Sequence, residues 1–213
     1  PGSAEAAVVA PDSGRAFVAV AERGEVYALD TLGNAQRVAE GLGRPTDLAY
    51  GDGRVYVADS AGERVIVLDG ESCAIIVTST LSAAPYGLAY DPVERRLYVG
   101  QMGRAQILAL EAETLALQGQ VDLSGLGFPL DLALDAPANL LYVAYALSPK
   151  YGALSVIDTT DLSLVDTVSG NRQQPLYGVD SVQVDSQRGA VLVGQYAGLL
   201  VFDCDLSLRE QLA

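Results

Sequence analysis

The most informative absence in this 213-residue sequence is histidine, which does not occur at all. Without histidine the chain cannot build a Ser-His-Asp triad, an imidazole metal site or histidine ligation of haem. Tryptophan is also absent, methionine occurs once, and Lys150 is the only lysine among 13 basic residues. An enzymatic reaction in this chain would therefore depend on carboxylates, tyrosine, arginine, Lys150 or a thiol.

Basic residues are scarce relative to acidic ones. The chain carries 27 Asp and Glu residues against 13 Lys and Arg residues, which gives a formal net charge of −14. Nucleic acid and anionic membrane surfaces are disfavoured as partners because this charge repels them. A cationic ligand or a metal ion remains compatible with the charge, and so does an acidic surface that serves only solubility.

Cysteine and long apolar runs are also scarce. Cys73 and Cys204 are the only cysteines, and each follows the third strand of a predicted repeat unit, in the second and fifth units. We expect two separate thiols, further apart than the roughly 7 Å between Cα atoms that a disulfide allows. No apolar run reaches about 18 residues, so no membrane-spanning helix is predicted. The opening Pro-Gly-Ser, residues 1–3, is interpreted as the remnant of a tag.

The sequence does contain many short apolar segments separated by Gly, Asp, Pro and Ser, a pattern typical of an all-β protein. The clearest example has predicted strands at 47–50, 54–58, 64–69 and 74–79. Five such four-stranded units follow one another, at approximately 4–44, 45–84, 85–128, 129–174 and 175–213.

Two markers recur through these units with the same period. The large residue in the middle of each second strand recurs at spacings of 39, 42, 44 and 50, at Phe17, Tyr56, Tyr98, Tyr142 and Leu192. The acid that closes each third strand recurs at spacings of 39, 42, 47 and 45, at Asp30, Asp69, Glu111, Asp158 and Asp203. We predict that Tyr56, Tyr98 and Tyr142 are core or blade-interface residues with their hydroxyls hydrogen-bonded, and that the acids form turns by accepting hydrogen bonds from their own backbone.

A four-stranded unit that repeats every ~40 to 50 residues predicts a β-propeller, in which each blade buries its faces against its neighbours. We therefore expect one all-β domain over residues 1–213, a closed ring of five four-stranded antiparallel blades. The alternative is a five-blade segment of a larger propeller.

The same segments resemble two known repeat families. Residues 54–69, Arg-Val-Tyr-Val-Ala-Asp-Ser-Ala-Gly-Glu-Arg-Val-Ile-Val-Leu-Asp, resemble an NHL repeat. Arg-Leu-Tyr-Val-Gly at 96–100 and Leu-Tyr-Val-Ala at 141–144 are similar to YVTN-type repeats. The first unit lacks the Pro and Tyr of this pattern, and the fifth has Leu192 in place of Tyr. The resemblance implies a β-propeller over nearly the whole chain, but such propellers serve as enzymes, ligand binders and docking platforms alike.

Carboxylates at the entrance of the first strands are candidate metal ligands. In a propeller the first strands line the central channel, and Asp47, Asp131 and Asp180 or Ser181 stand at that position. Three converging carboxylates could hold Ca²⁺, as propeller lactonases and strictosidine-synthase-like hydrolases hold a channel metal. The alternative is that these carboxylates accept hydrogen bonds from backbone N–H groups at strand ends.

The connections between second and third strands are candidate ligand-binding loops. Tyrosine supplies contact area and a polar tip at low entropic cost, which suits a peptide, a glycan or a small polar ligand. With the channel-mouth residue Tyr86, the predicted contacts are Tyr86, Gln101, Met102, Tyr145, Lys150, Tyr151, Gln195 and Tyr196. The alternative is that these are exposed polar loops without any ligand.

These features favour a non-catalytic recognition or scaffolding module of a bacterial secreted or cell-surface protein. We expect an extracellular or periplasmic monomer that binds a protein, peptide, glycan or small ligand on one face. The rival is a metal-dependent lactonase or strictosidine-synthase-like hydrolase with channel Ca²⁺. Such enzymes add Asn, Glu or His beside the metal, and this chain has no His and no matching Asn. No catalytic residue is therefore assigned, and no cofactor is expected apart from the calcium ion of the rival.

Overall fold

The computed structural model describes residues 3–147, 151–170, 176–196 and 198–212. Within these ranges, twenty β-strands form five sheets of four antiparallel strands. Each sheet consists of four strands that are consecutive in the chain and lie side by side in chain order. The predicted five units of four strands are therefore confirmed.

The strands and two 3-10 turns have the following bounds. The first sheet comprises β1 (Ala6–Ala10), β2 (Arg15–Val20), β3 (Glu25–Leu29) and β4 (Ala35–Ala39), with a 3-10 turn at Ala21–Arg23. The second comprises β5 (Pro45–Gly51), β6 (Arg54–Asp59), β7 (Arg64–Asp69) and β8 (Ile75–Thr80). The third comprises β9 (Pro85–Asp91), β10 (Arg96–Gln101), β11 (Gln106–Glu111) and β12 (Leu117–Asp122). The fourth comprises β13 (Phe128–Asp135), β14 (Leu140–Ala146), β15 (Gly152–Asp158) and β16 (Ser163–Ser169), with a 3-10 turn at Ala136–Ala138. The fifth comprises β17 (Val179–Asp185), β18 (Ala190–Gln195), β19 (Gly198–Asp203) and β20 (Leu208–Leu212).

Burial within a sheet depends on the position of the strand. The second and third strands of the second sheet, β6 and β7, are buried at nearly every residue, on both faces of the sheet. The fourth strands β8 and β20 are mostly or wholly exposed. This explains why inner strands read as continuous apolar runs, whereas outer strands carry many polar residues.

The first strands share a β-bulge near their start. In the second, fourth and fifth sheets one residue of the first strand is extra relative to its partner strand. The extra residues are Thr46, Leu130 and Asp180. The residues that follow the bulge are Asp47, Asp131 and Ser181. A bulge changes which face a side chain points to. Ser181, and not Asp180, therefore occupies in the fifth sheet the position that Asp47 and Asp131 occupy in theirs.

Contacts between residues divide the chain into two compact units. Unit 1 comprises Pro1–Val99 and Leu110–Ala116, and unit 2 comprises Gly100–Ala109 and Leu117–Ala213. Unit 1 contains a core between the first and second sheets, and unit 2 contains a core between the fourth and fifth sheets. The expected single domain and the closure of a five-blade ring stay predictions.

The repeated large residues lie in the core, with one exception. Phe17, Tyr56, Tyr98 and Tyr142 have no exposed surface, which confirms the predicted burial of the three tyrosines. The Tyr142 hydroxyl is hydrogen-bonded as predicted, whereas the prediction is wrong for Tyr56, whose hydroxyl has no hydrogen-bond partner in the described parts of the chain. Leu192, at this position in the fifth sheet, is half-buried. Its neighbours Val191 and Val193 are buried in the core of unit 2 instead. Side chains alternate along a strand, so Leu192 points to the opposite face.

Four of the five acids that close the third strands form turns through their carboxylates, as predicted, whereas the Asp203 carboxylate accepts hydrogen bonds from the side chains of Ser207 and Arg209. The Asp69 carboxylate accepts hydrogen bonds from the backbone N–H groups of Glu71 and Ser72, at 3.2 and 2.7 Å. Asp158 accepts one from Thr160 in the same way, at 2.8 Å. Cys73 and Cys204 are free thiols. Across the described residues, no helix is long and apolar enough to cross a membrane.

Candidate functional site

The structure places half of the predicted contact residues in strands rather than in loops. These residues are Tyr86 in β9, Gln101 in β10, Tyr145 in β14 and Gln195 in β18. The loop prediction is wrong for Gln101, Tyr145 and Gln195, because the second strands extend further than the sequence pattern suggested.

The remaining predicted contacts lie beyond the strands or outside the described residues. Met102 follows β10 in a turn and is exposed. Tyr151 immediately precedes β15 and forms an isolated β-bridge with Tyr177. Tyr196 follows β18 and is also in a turn. Lys150 lies outside the described residues.

A buried polar side chain near the end of the second strand is a structural feature of several sheets. Asp59 stands there in the second sheet, opposite Pro45, and has no exposed surface. It accepts hydrogen bonds from the Arg44 backbone N–H and the Arg64 Nε, each at 2.8 Å. Burial raises the pKa of Asp59, but these hydrogen bonds outweigh burial and hold the pKa below its ordinary value. The carboxylate therefore ties the segment entering the sheet to the strand beside it.

Gln101 and Tyr145 have similar interior roles. Gln101 is fully buried, and its carboxamide accepts a hydrogen bond from the Gln106 side chain. Tyr145 is also fully buried, with its hydroxyl near Ser155, and burial raises its pKa to about 12. Tyr86 is half-buried, and its backbone carbonyl accepts a hydrogen bond from Thr46 Oγ1 at 3.3 Å. These side chains support the sheets, and they do not form an open contact surface.

Unit 2 brings two of the predicted tyrosines together with a third that sequence reasoning missed. The rings of Tyr151 and Tyr177 stack with centroids 5.7 Å apart. The backbone N–H of Tyr196 lies 3.1 Å from the Tyr177 carbonyl oxygen and 3.2 Å from that of Gly178. We call Tyr151, Tyr177 and Tyr196 the tyrosine surface. The Tyr-Gly pair at 177–178, which repeats the pair at 86–87, was the sequence signal for the missing member.

Gln195 precedes Tyr196 in the chain and is only 7% exposed. Its Oε1 accepts a hydrogen bond from the Tyr177 backbone N–H at 2.9 Å. Its Nε2 is buried and has no hydrogen-bond partner within the described parts of the chain. A buried donor without a partner costs free energy. A ligand that presents an acceptor oxygen would remove that cost.

The proposed metal ligands Asp47 and Asp131 bond to backbone instead. Each accepts a hydrogen bond from the N–H of the residue that follows it, at 2.8 Å in both cases. The second oxygen of Asp47 accepts from Leu88 N at 2.7 Å, and that of Asp131 from Val182 N at 2.8 Å. Leu88 and Val182 lie in the first strand of the next sheet. These two carboxylates therefore link neighbouring first strands, as the alternative interpretation predicted.

The environment of Asp131 opposes its ionisation. Burial is the main cause that raises its pKa, the Asp180 charge adds to it, and the two backbone hydrogen bonds offset part of the rise. Asp180 is exposed in the bulge and accepts a hydrogen bond from Ser181 Oγ at 3.1 Å. In the ranges that the structure describes, no three His, Cys, Asp or Glu side chains are grouped to hold a metal ion. The calcium site stays a prediction.

Unit 1 contains two adjoining clefts that sequence reasoning also missed. One is lined by acidic side chains and has a volume of about 480 Å³, and the other is lined mainly by apolar side chains and has about 470 Å³. They share Asp12, Tyr50, Asp52 and Gly53. The available signal was the set of Asp-containing turns at the strand ends, which the sequence pattern presents only as turn formers.

No protein-family model and no curated protein matches this chain. Solved structures do resemble it. Virginiamycin B lyase from Staphylococcus aureus superposes with a TM-score of 0.78 at 14% identity, over 97% of this chain and 68% of that one. Kuenenia stuttgartiensis hydrazine synthase superposes with a TM-score of 0.78 at 13% identity, over 94% of this chain and 62% of that one. A chain of a nidogen/laminin complex superposes with a TM-score of 0.74 at 15% identity, over 98% of this chain and 79% of that one. At such identities the likeness shows the fold alone. With five four-stranded sheets, that fold is a five-bladed β-propeller, and the predicted fold class is confirmed.

Proposed function

We propose that this five-bladed β-propeller is a non-catalytic recognition module that binds an extended segment of a partner protein at the tyrosine surface. The observation that carries the proposal is Tyr196, whose side chain is 94% exposed. A tyrosine ring held out in water contributes no burial to the fold. The two hydrogen bonds of the Tyr196 backbone restrict its conformation. Such a side chain can bury a large area on binding with little further loss of entropy.

The second support is a buried hydrogen-bond donor next to Tyr196 in the sequence. Gln195 Nε2 is a hydrogen-bond donor without a partner in the described chain, next in sequence to the exposed tyrosine. Backbone carbonyl groups of an extended peptide are acceptors of the matching kind. A buried donor that gains an acceptor only in the complex increases specificity, because a ligand without that acceptor leaves the donor unpaired.

A protein partner has a precedent among the structural neighbours. One structural neighbour was solved as a nidogen/laminin complex, which is an assembly of proteins. We also propose that the repeats are of the NHL or YVTN type and that the domain belongs to a secreted or cell-surface protein. The proposal needs no catalytic residue.

Selection from a phage-displayed library of random peptides tests the proposal. The purified protein serves as bait, and the Tyr196→Ala variant serves as bait for counter-selection. Selected peptides are then synthesised and titrated against both proteins by fluorescence polarisation. A central aromatic contact contributes about 2 kcal/mol or more, so we expect Tyr196→Ala to weaken binding at least about 30-fold.

The matched control is Leu32→Ala, which removes another large side chain that is 85% exposed but lies in unit 1. This variant should bind the selected peptides as the unmodified protein does. Failure to enrich any peptide, or equal affinity for the Tyr196→Ala variant, would contradict the proposal. Turnover of a lactone or an aryl ester by the purified protein would contradict its non-catalytic part.

A further inference from the structure

The apolar cleft of unit 1 has a wall that depends on one glycine. The ring of Tyr90 lies directly over the backbone of Gly51, where a Cβ atom would lie 2.0 Å from the ring. The Tyr56 ring stacks behind Tyr90 with centroids 5.5 Å apart, so the wall is supported from the core. Val9 also lines this cleft and is 59% exposed. The cleft is thus apolar and open to solvent.

The adjoining cleft is strongly acidic. Four carboxylates line it, from Asp12, Asp52, Asp69 and Glu71, against one guanidinium, from Arg15. That guanidinium donates hydrogen bonds to the Gly70 and Glu71 backbone carbonyls at 3.0 and 2.8 Å. One of its nitrogens, Nη1, is therefore engaged by the Gly70–Glu71 turn. The net charge of the lining is negative, as is that of the whole chain.

The acids of this cleft differ in whether their carboxylates bond to other side chains. Asp12 accepts a hydrogen bond from the Tyr50 hydroxyl, with its oxygens at 2.8 and 2.7 Å. Burial and this carboxylate raise the pKa of Tyr50 to about 12, so the hydroxyl remains a donor at neutral pH. Asp52 pairs with Arg95 at 3.1 Å. By contrast, the Glu71 side chain is exposed and has no hydrogen bond or ion pair within the described chain.

These observations restrict the chemistry of an occupant. The acids are not grouped closely enough to hold a metal ion in the described residues. A nucleic acid would be repelled. Volumes of about 480 and 470 Å³ lie in the range of ligand sites. One half attracts positive charge and the adjoining half buries an apolar side chain.

We propose that these two clefts form a second docking groove, which binds a basic segment of a partner protein with an arginine or lysine beside Glu71 and an apolar side chain against Val9 and Tyr90. The argument for this occupant is charge complementarity combined with the adjoining apolar wall. The groove lies wholly in unit 1, so it is separate from the tyrosine surface.

Three labelled hexapeptides test the proposal on the unmodified protein by fluorescence polarisation. The first has three repeats of Arg-Leu, the second three of Arg-Gly, and the third three of Glu-Leu. We expect the Arg-Leu peptide to bind most tightly, the Arg-Gly peptide more weakly and the Glu-Leu peptide not at all up to about 1 mM. Raising NaCl from about 0.05 to about 0.5 M should weaken binding of both arginine peptides. No binding of Arg-Leu, or equal binding of Glu-Leu, would overturn the proposal.

Two variants locate the groove. Glu71→Gln removes the unengaged carboxylate and should weaken Arg-Leu binding about threefold. Val9→Thr replaces one methyl group with a hydroxyl group and should weaken it about fourfold. The matched controls are Glu22→Gln, an exposed acid in the Ala21–Arg23 turn, and Ile75→Thr, on the outer strand β8. Equal effects of variants and controls would overturn the location.

The peptide comparison on the unmodified protein remains decisive even if a variant fails to fold. Failure of this proposal is also distinguishable from failure of the tyrosine surface. Tyr196→Ala should leave binding of the Arg-Leu peptide unchanged, whereas a loss in that variant would contradict a groove confined to unit 1.

Discussion

The same repeat position offers a matched test of what a buried tyrosine hydroxyl does. Tyr142 and Tyr56 are equivalent residues of the fourth and second sheets, and both are fully buried. The Tyr142 hydroxyl donates a hydrogen bond to the Cys204 carbonyl at 3.2 Å, which joins the fourth sheet to the fifth. The Tyr56 hydroxyl has no partner in hydrogen-bonding geometry among the described residues. Burial raises the pKa of both, so neither ionises near neutral pH.

We therefore expect opposite results from one chemical change. Tyr142→Phe removes a hydrogen bond and leaves a carbonyl without its partner, which should lower the free energy of unfolding by about 1 to 2 kcal/mol. Tyr56→Phe removes an unpaired buried hydroxyl while keeping the ring stacked on Tyr90. It should leave the free energy unchanged or raise it by up to about 1 kcal/mol.

Equilibrium urea unfolding followed by circular dichroism measures both changes. For a chain of this size each kcal/mol corresponds to about 2 to 4 °C in melting temperature. If the two units unfold in separate transitions, Tyr142→Phe should shift the midpoint of the unit 2 transition, and Tyr56→Phe should shift the midpoint of the unit 1 transition. Equal destabilisation of more than about 1 kcal/mol by both variants would refute the reasoning, as would a neutral Tyr142→Phe.

Three further predictions concern backbone packing, pH and metal. Gly51→Ala would place a methyl group 2.0 Å from the Tyr90 ring, so the free energy of unfolding measured with urea should fall by about 2 to 3 kcal/mol. The pKa of Asp131 is raised in the fold, so its stabilising contribution is complete below about pH 4 and is lost as pH rises through the folded-state pKa. The stability difference between the unmodified protein and Asp131→Asn should therefore change in favour of the variant as pH rises from about 3 to about 7, and a constant difference would contradict this. Calorimetric titration with Ca²⁺ should give no heat, because Asp47 and Asp131 bond to backbone N–H groups, whereas saturable heat would favour the hydrolase alternative.

The fold was largely predictable because its signals are local and repeated. Strand 64–69, for example, was predicted with the bounds that the structure gives β7. The large residues of the second strands and the acids of the third strands share one period, which identifies five units from the sequence alone. Leu192 shows the limit of this reasoning. It occupies the same register position as Tyr142, opposite Gln183 as Tyr142 is opposite Ala133, yet it is only half-buried, because burial also depends on what packs against that face.

The site was less predictable for a related reason. Gln101, Tyr145 and Gln195 were predicted to lie in loops, yet they lie near the ends of second strands and are buried. The second strands extend further than the sequence pattern suggested, so these side chains belong to the sheets and not to open loops. For the fifth sheet the sequence left Asp180 and Ser181 as alternatives, and the bulge at Asp180 makes Ser181 the equivalent of Asp47 and Asp131. The groove of unit 1 depends on turns from separate sheets, whose proximity only the fold establishes.

The central claim is that this propeller recognises its partner at the ends of strands and not at the repeated core. Hydrogen–deuterium exchange of the unmodified protein, with and without a peptide selected on it, tests this claim most directly. The account predicts that binding slows exchange in segments 151–153, 176–179 and 195–196, with little change in the inner strands β14 and β18 before residue 195. Slowed exchange spread evenly over the inner strands, or confined to segments far from the tyrosine surface, would contradict it.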